Sequence, residues 1–461
     1  MKTTPYKYQV DLVKAIEGFD GRCLLAAEMG LGKSLCSLMY AERHPEIRPI
    51  VIVCPASLKW NWNREAKIHF GWRAEILEST TPPKTGYKFR QNIVVINYDI
   101  LFAWLDYLKE LKPQLVILDE SQMIGNKGTR RTKACQTLCL NVPHIVALSG
   151  TPLLNKPAEL WPTLNILQPK VFPNFWAFGM KWCDPKKNKW GWTFNGCSDS
   201  EKLHELLAKH TLIRKRKADV LEYLPAKRRF IVPLPLKDEE QYRLATEDFR
   251  SWLARYSPKT LKSSLRAESL VKLGHLLRLA ATLKLPAVVD WVDHFLANSE
   301  GKLVLFTRHR KILAELERHF KKICVVVSGS VIGRKRQEAV ERFQKDPKIK
   351  IFIGQIRAAG IGLNLHVAHT VAFVELDWVP GIIHQAEDRV YARLGNIHGA
   401  DIYYLLGKHT IDSMLLKLII RKQKLVSAIL DKGKGENFDI MTELAKELLK
   451  GKTSHATHGN P

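Results

Sequence analysis

The chain has no CxxC pair, and no apolar run approaches the ~18–20 residues that a membrane span requires. It is also short of acids. Its eight cysteines are scattered as Cys23, Cys36, Cys54, Cys135, Cys139, Cys183, Cys197 and Cys324. That spacing does not suggest a zinc site or a disulfide framework, and buried thiols are the plain expectation. The opening Met1-Lys2-Thr3-Thr4 has no apolar stretch behind it, so no secretory signal is expected. These absences predict no membrane partner. They also predict a cytoplasmic location, or a nuclear one in a eukaryotic host; the compactness of the chain points to a bacterium or a virus-infected cell.

Against 72 lysines and arginines stand only 46 aspartates and glutamates, a formal net charge of +26. Such an excess favours a polyanionic partner, because each cation that neutralises a phosphate releases condensed counterions. Basic clusters recur at Lys186-Lys187, Arg214-Lys215-Arg216-Lys217, Lys227-Arg228-Arg229 and Arg334-Lys335-Arg336. Each alone reads equally as a solvated face. The global imbalance favours nucleic acid over a membrane surface. A length of 461 residues at 46% hydrophobic content implies two or three packed units rather than one core.

Short apolar runs alternate with helical patterns over residues 20–155. Strands are expected at Cys23-Leu24-Leu25-Ala26, Ile50-Val51-Ile52-Val53-Cys54, Ile93-Val94-Val95-Ile96, Leu115-Val116-Ile117-Leu118 and Ile145-Val146-Ala147-Leu148. The style returns over residues 300–410, with runs beginning at Leu303, Ile323, Ile349, Val371 and Ile402. Continuous apolar strands bounded by polar turns predict buried parallel sheets covered by helices on both faces. Between these units, residues 156–290 are aromatic, charged and helical in period, with few strand candidates. A disordered tail is expected from about Gly451.

The chemistry concentrates in a few stretches. Ala27-Glu28-Met29-Gly30-Leu31-Gly32-Lys33-Ser34 follows an apolar run and precedes a helical one. A strand, a glycine turn and a helix N-terminus together cradle phosphates with inward N–H groups. In that reading Lys33 reaches the β- and γ-phosphates and the Ser34 hydroxyl ligates Mg²⁺. Ala27 stands where the usual pattern has its first glycine, and a plain strand–turn–helix connection is the competing reading. Leu115-Val116-Ile117-Leu118 ends in Asp119-Glu120. At a strand C-terminus beside phosphates, Asp119 suits Mg²⁺ and Glu120 suits the attacking water, although Asp-Glu is also a common helix cap. Ser149-Gly150-Thr151-Pro152 closes the next strand, and Gln9 has an amide that pairs with an adenine edge.

In the second unit, Gly360-Ile361-Gly362-Leu363-Asn364-Leu365 forms a glycine-punctuated turn after a strand. If residues 385–395 are helical, Gln385, Arg389 and Arg393 stack at i, i+4 and i+8 on one face. Two such arginines reach a phosphate held by the other unit, as an arginine finger does. A surface helix with paired charges is the competing reading.

In this order these segments resemble the Swi/Snf family of helicase-like ATPases in helicase superfamily two, over roughly residues 5–432. Tyr8-Gln9 is similar to the adenine-recognition motif and Glu28 to Ser34 to motif I. The stretch Cys54-Pro55-Ala56-Ser57-Leu58-Lys59-Trp60-Asn61-Trp62 is similar to motif Ia, and Asn97-Tyr98-Asp99 to a further first-lobe motif. Asp119-Glu120-Ser121-Gln122 is similar to motif II, with Gln122 in place of the family's histidine. Ser149-Gly150-Thr151-Pro152 resembles motif III, Leu305-Phe306-Thr307 motif IV, the Gly360 turn motif V, and residues 385–395 motif VI. The wording of motifs Ia, II and VI is nearest to the annealing-helicase branch, of the HARP or SMARCAL type. Arg389 and Arg393 stand four apart where the family spaces them three apart, which rotates Arg393 by about 100° on a helix.

The resemblance implies an α/β fold of two RecA-like parallel-sheet lobes, with helical insertions between them and a C-terminal brace helix over residues 410–430. Lobe 1 is expected at 1–170, insertions and linker at 171–285, lobe 2 with the brace at 286–435, and a C-terminal helix and tail at 436–461. ATP and Mg²⁺ are the implied cofactors. Gln9, Met29, Gly30, Leu31, Gly32, Lys33, Ser34, Gly360 and Gly362 are expected at the nucleotide, and Ser34 and Asp119 at the metal. Lys33, Asp119, Glu120, Arg389 and Arg393 are the expected catalytic set. Ser57, Lys59, Trp60, Asn97, Thr307 and Asn364 are the expected contacts to double-stranded or forked DNA. A monomeric DNA-dependent translocase is the leading reading, against a strand-separating helicase and a non-catalytic DNA-binding module.

Overall fold

The computed structural model describes residues 1–432 and 444, apart from 85, 189–190, 221–226, 255–265, 332, 361–362, 364 and 392–398. The expected tail, the C-terminal helix, Arg393, Gly362 and Asn364 lie outside the described residues.

The strands in chain order are β1 (Arg22–Ala27), β2 (Ile50–Cys54), β3 (Glu75–Ile76), β4 (Ile93–Asn97), β5 (Leu115–Asp119), β6 (His144–Leu148), β7 (Pro185–Asn188), β8 (Gly191–Phe194) and β9 (Leu212–Lys215). They continue with β10 (Lys227–Leu234), β11 (Leu303–Thr307), β12 (Cys324–Val327), β13 (Ile351–Gln355), β14 (Thr370–Phe373) and β15 (Ala400–Gly407). The first sheet has the order β3-β4-β2-β5-β6-β1-β9, and the second β10-β15-β14-β11-β13-β12. Every pairing in both is parallel, as the continuous apolar runs require. All ten strands expected from those runs are present, within two residues at each end of most.

Alternation along each strand feeds two cores per sheet. In β1, Leu24 and Ala26 enter one first-lobe core, while Cys23, Leu25 and Ala27 enter the other. All eight cysteines are buried free thiols within this packing.

The middle of the chain departs from expectation. Residues 171–285 hold four strands, of which β7 and β8 form a separate antiparallel hairpin. The other two, β9 and β10, extend the two large sheets at their edges. Edge strands need less apolar surface, so Arg214, Lys215 and the Lys227-Arg228-Arg229 run sit in strands that sequence reads as polar linker.

The helix Ile411–Asp431 has the span expected of the brace, and the Thr410 hydroxyl caps it by accepting from Asp412 N. Its first half, Leu415, Leu416, Leu418 and Ile419, is buried in the second-lobe core. Its second half, Leu425, Val426, Ile429 and Leu430, is buried in a first-lobe core. One rod therefore has its two ends in two different hydrophobic interiors.

This arrangement makes the ends separable. Truncating Leu415 or Ile429 to alanine is expected to cost about 2–5 kcal/mol each. Hydrogen exchange should show Leu415→Ala loosening the second sheet and Ile429→Ala the first.

Candidate active site

Between β1 and the helix Lys33–Arg43 the backbone turns through Gly30 at φ 86° and Gly32 at φ 79°. These values lie in the left-handed region, which suits glycine. A side chain at Gly32 would also collide with Gln9 Nε2. Gln9 is buried over the loop, accepting from Tyr6 N at 3.0 Å and donating to Leu31 O at 3.4 Å. Lys33 Nζ turns back onto Ala27 O at 2.8 Å and Glu28 O at 3.3 Å. Burial lowers its pKa against the pull of Glu120 and Asp119. Met29 and Leu31 are buried beneath the loop, and Ser34 is half-buried in the first helical turn.

Asp119 ends β5, and Glu120 follows it at φ 51°, a left-handed conformation that is costly for a non-glycine residue. Both are buried. Asp119 accepts from Trp62 Nε1 at 2.8 Å and from Glu120 N at 3.0 Å, while Tyr98 OH donates to its carbonyl at 2.7 Å. Burial and the neighbouring Glu120 nevertheless push its carboxyl up to about 7.

From Glu120 a run of polar contacts leads across the cleft. Gln122 Nε2 donates to Glu120 Oε2 at 2.7 Å, and Ser149 Oγ donates to Gln122 Oε1 at 2.6 Å. Ser149 Oγ in turn accepts from Thr151 N at 3.1 Å, and Gln385 of the second lobe donates its amide to the Thr151 hydroxyl. Gln122, the departure from the family's histidine, thus joins Glu120 to the Ser149 turn. An amide suits this place because it donates and accepts at once.

Gln385 and Arg389 do not stack along one helix as expected, and Arg393 lies outside the described residues. The helix Pro380–Glu387 ends before Arg389. Arg389 sits in the following turn, where Nε donates to Gly360 O at 2.8 Å and Nη1 to Leu363 O at 3.3 Å. Arg389 is buried, Glu120 and Asp388 are the charges that act on it, and its Nη2 has no hydrogen-bond partner among the described residues. Below it, Lys227 and Arg229 pair with Glu387, Lys227 also pairs with Asp388, and Tyr404 OH donates to Glu387. Burial works against the Lys227 ammonium, but Asp388 and Glu387 outweigh it and raise its pKa. Both acids are held below their ordinary range despite burial. The lobes also meet through their main chains, where Gly381 N donates to Leu154 O at 3.2 Å.

The expected DNA contacts divide. Ser57 and Trp60 are exposed. Lys59, also an expected DNA contact, is buried. Its ammonium is turned inward onto Leu77 O at 2.8 Å, because it stands one position before Trp60 and so on another helix face. Asn97 and Thr307 are likewise buried, at the ends of β4 and β11. Two residues escaped the sequence reading. Trp62 holds Asp119 from 57 positions away. Arg214 bonds Ala26 O, Glu28 and Asp431, tying the phosphate loop to the end of the brace helix. Only the Trp60-Asn61-Trp62 spacing, which puts the two indoles on opposite helix faces, hinted at the first.

A phosphate-loop lobe facing an arginine-bearing lobe across a cleft is the architecture of a two-lobed helicase-like ATPase core. The SNF2-related domain matches residues 8–282 and the helicase conserved C-terminal domain residues 284–394, and the chain belongs to the SNF2-related family. It is similar to the SWI/SNF-related matrix-associated actin-dependent regulator of chromatin subfamily A-like protein 1 homolog of Caenorhabditis elegans, 32% identical over 87% of this chain and 58% of that protein. It is also similar to the DNA annealing helicase and endonuclease ZRANB3 of Bos taurus, 29% identical over 89% of this chain and 39% of that protein. The chain thus spans about half the length of these relatives. A solved Sulfolobus solfataricus SWI2/SNF2 ATPase core in complex with dsDNA aligns with 98% of this chain and 97% of its own, at 22% identity and a TM-score of 0.45.

The buried acid pair below Arg389 sets a measurable pH dependence. Because Glu387 and Asp388 have depressed pKa values, their stabilisation is present above about pH 4–5 and is lost as pH falls through those values. Lys227→Met should cost about 3–5 kcal/mol at neutral pH by stranding buried charge. Its thermal midpoint should then fall less steeply than the parent's between pH 5 and about 2.

Proposed function

We propose that this chain is a DNA-dependent ATPase that moves along double-stranded DNA, hydrolysing ATP between its two lobes. The observation that carries the reading is the polar run from Glu120 through Gln122, Ser149 and Thr151 to Gln385, which joins the acid of one lobe to the other lobe. A state change at the nucleotide has a direct mechanical route through it. The net charge of +26 and the exposed Ser57 and Trp60 support a DNA partner.

The site suits a triphosphate with a divalent cation. Among the described residues, Lys33 spends its ammonium only on two carbonyls, and two buried neighbouring carboxyls lack a compensating cation at hydrogen-bond distance. Asp119 and Ser34 would hold Mg²⁺, which supplies charge neutralisation at the phosphates. Lys33 and the loop N–H groups bind the phosphates, Gln9 meets the adenine edge, and Glu120 orients the attacking water. Arg389 brings its free Nη2 to the charge that develops on the γ-phosphate. Binding therefore favours a closed cleft and hydrolysis an open one, a bias between two states that DNA shares in setting.

The reading is tested by duplex-stimulated ATP turnover. Lys33→Ala should abolish it, and Glu120→Gln should retain bound ATP without turnover; normal turnover in either variant sinks the assignment. Gln122→Ala should leave nucleotide affinity within about twofold while cutting the DNA stimulation by about tenfold, on the scale of one lost transition-state hydrogen bond. Displacement of a triplex third strand without duplex separation separates translocation from strand-separating helicase action.

A further inference from the structure

We propose that the β7–β8 hairpin and the helix Phe175–Trp182 form a second nucleic-acid contact, a stacking platform for unpaired bases. The two elements are clamped through one residue pair. A Cβ on Gly179 would lie 2.8 Å from the ring of Phe194, so the ring rests directly on the glycine. Phe194 also meets the ring of Phe175 at 5.4 Å and that of Trp176 at 5.7 Å, both edge to face. This packing fixes the hairpin against the helix.

Trp192 lies two residues before Phe194 and therefore on the same face of β8. Its ring stands edge to face with Trp176 at 6.2 Å. Unlike the rings beneath them, Trp176 and Trp192 are 53% and 38% exposed. Two large indoles left half in water on a rigid support are costly for the fold alone.

The surroundings choose the partner. Lys187 is the cross-strand neighbour of Trp192, so both side chains leave the same face of the hairpin. Lys187 is exposed and has no ion-pair partner among the described residues. The exposed Lys181 lies on the same helix as Trp176, and Lys127 lies over the Phe175 ring at 4.4 Å. Asp184, the acid nearest in sequence, is already paired with Lys186 at 2.7 Å. Flat aromatic faces flanked by cations match the bases and phosphates of a single strand. A paired duplex hides its base faces, so the platform favours single-stranded or forked nucleic acid. An acidic peptide would use the lysines but leave both indoles unexplained.

The contact does not depend on ATP hydrolysis, so its failure and that of the proposed motor are distinct. The test is fluorescence anisotropy of the full chain, without nucleotide, on a mixed-sequence single strand of about 20 nucleotides, which exceeds one stacking site, and on a duplex closed by hairpin loops of non-base linker. Trp176→Ala with Trp192→Ala should weaken single-strand binding about tenfold and duplex binding less than twofold. Trp192→Phe should retain most of the affinity, since a ring persists. Lys187→Glu should weaken the single strand more than the duplex, which gives an independent reading if the double variant misfolds. Equal losses on both nucleic acids, or unchanged single-strand affinity, would overturn the platform; the latter result leaves an acidic protein surface as its partner.

Discussion

Asp119 and Glu120 are adjacent carboxyls buried at the end of a parallel strand, and their mutual repulsion has to be met by the groups around them. A backbone twist at Glu120 turns the two side chains apart, so each finds its own donors: Trp62 for Asp119, Gln122 for Glu120. Neither donor is charged. Lys33 lies within electrostatic reach from one side, as does Arg389 from the other, yet both spend hydrogen bonds on backbone carbonyls. The fold thus concentrates opposite charges at a cleft without letting them pair. On the function proposed above, such a site would receive a ligand that carries both a cation and phosphates.

The neutral donors also extend outward. Gln122 passes its second hydrogen bond to Ser149, so that the position of an acid and of a turn in the next strand are set together. Thr151, on the same turn, meets Gln385. In the opposite direction Arg214 joins Glu28 to Asp431, at the far end of the helix that spans both cores. The Ser149 turn is consequently held by the second lobe, and the phosphate loop by the end of the brace helix. Apolar packing supplies the strength of this assembly, and a few polar contacts supply its register.

The central strands, the phosphate loop and the acid pair were legible in the sequence because burial on both sheet faces leaves uninterrupted apolar runs. The edge strands were not, since β9 and β10 face solvent on one side and carry Arg214 and the Lys227 cluster. Contacts between distant positions were also hidden: no local pattern tells that Trp62 serves Asp119. Lys59 shows the finer limit, where a single step along a helix decides between surface and interior. Arg389 was identified through its spacing from Gln385, but the helix that spacing assumed stops two residues short of it.

Beside the contact of Gln385 with Thr151, the lobes also meet main chain to main chain, at Gly381 and Leu154. An added Cβ at Gly381 would lie 2.9 Å from Leu154 Cα and 2.7 Å from its Cδ2. The close fit at this point therefore depends on the absence of one methyl group. Any larger side chain at this position would act as a doorstop, fixing a minimum separation between the Ser149 turn and Arg389. The spacing of the two lobes at this contact is in this sense gauged by the smallest residue in the chain.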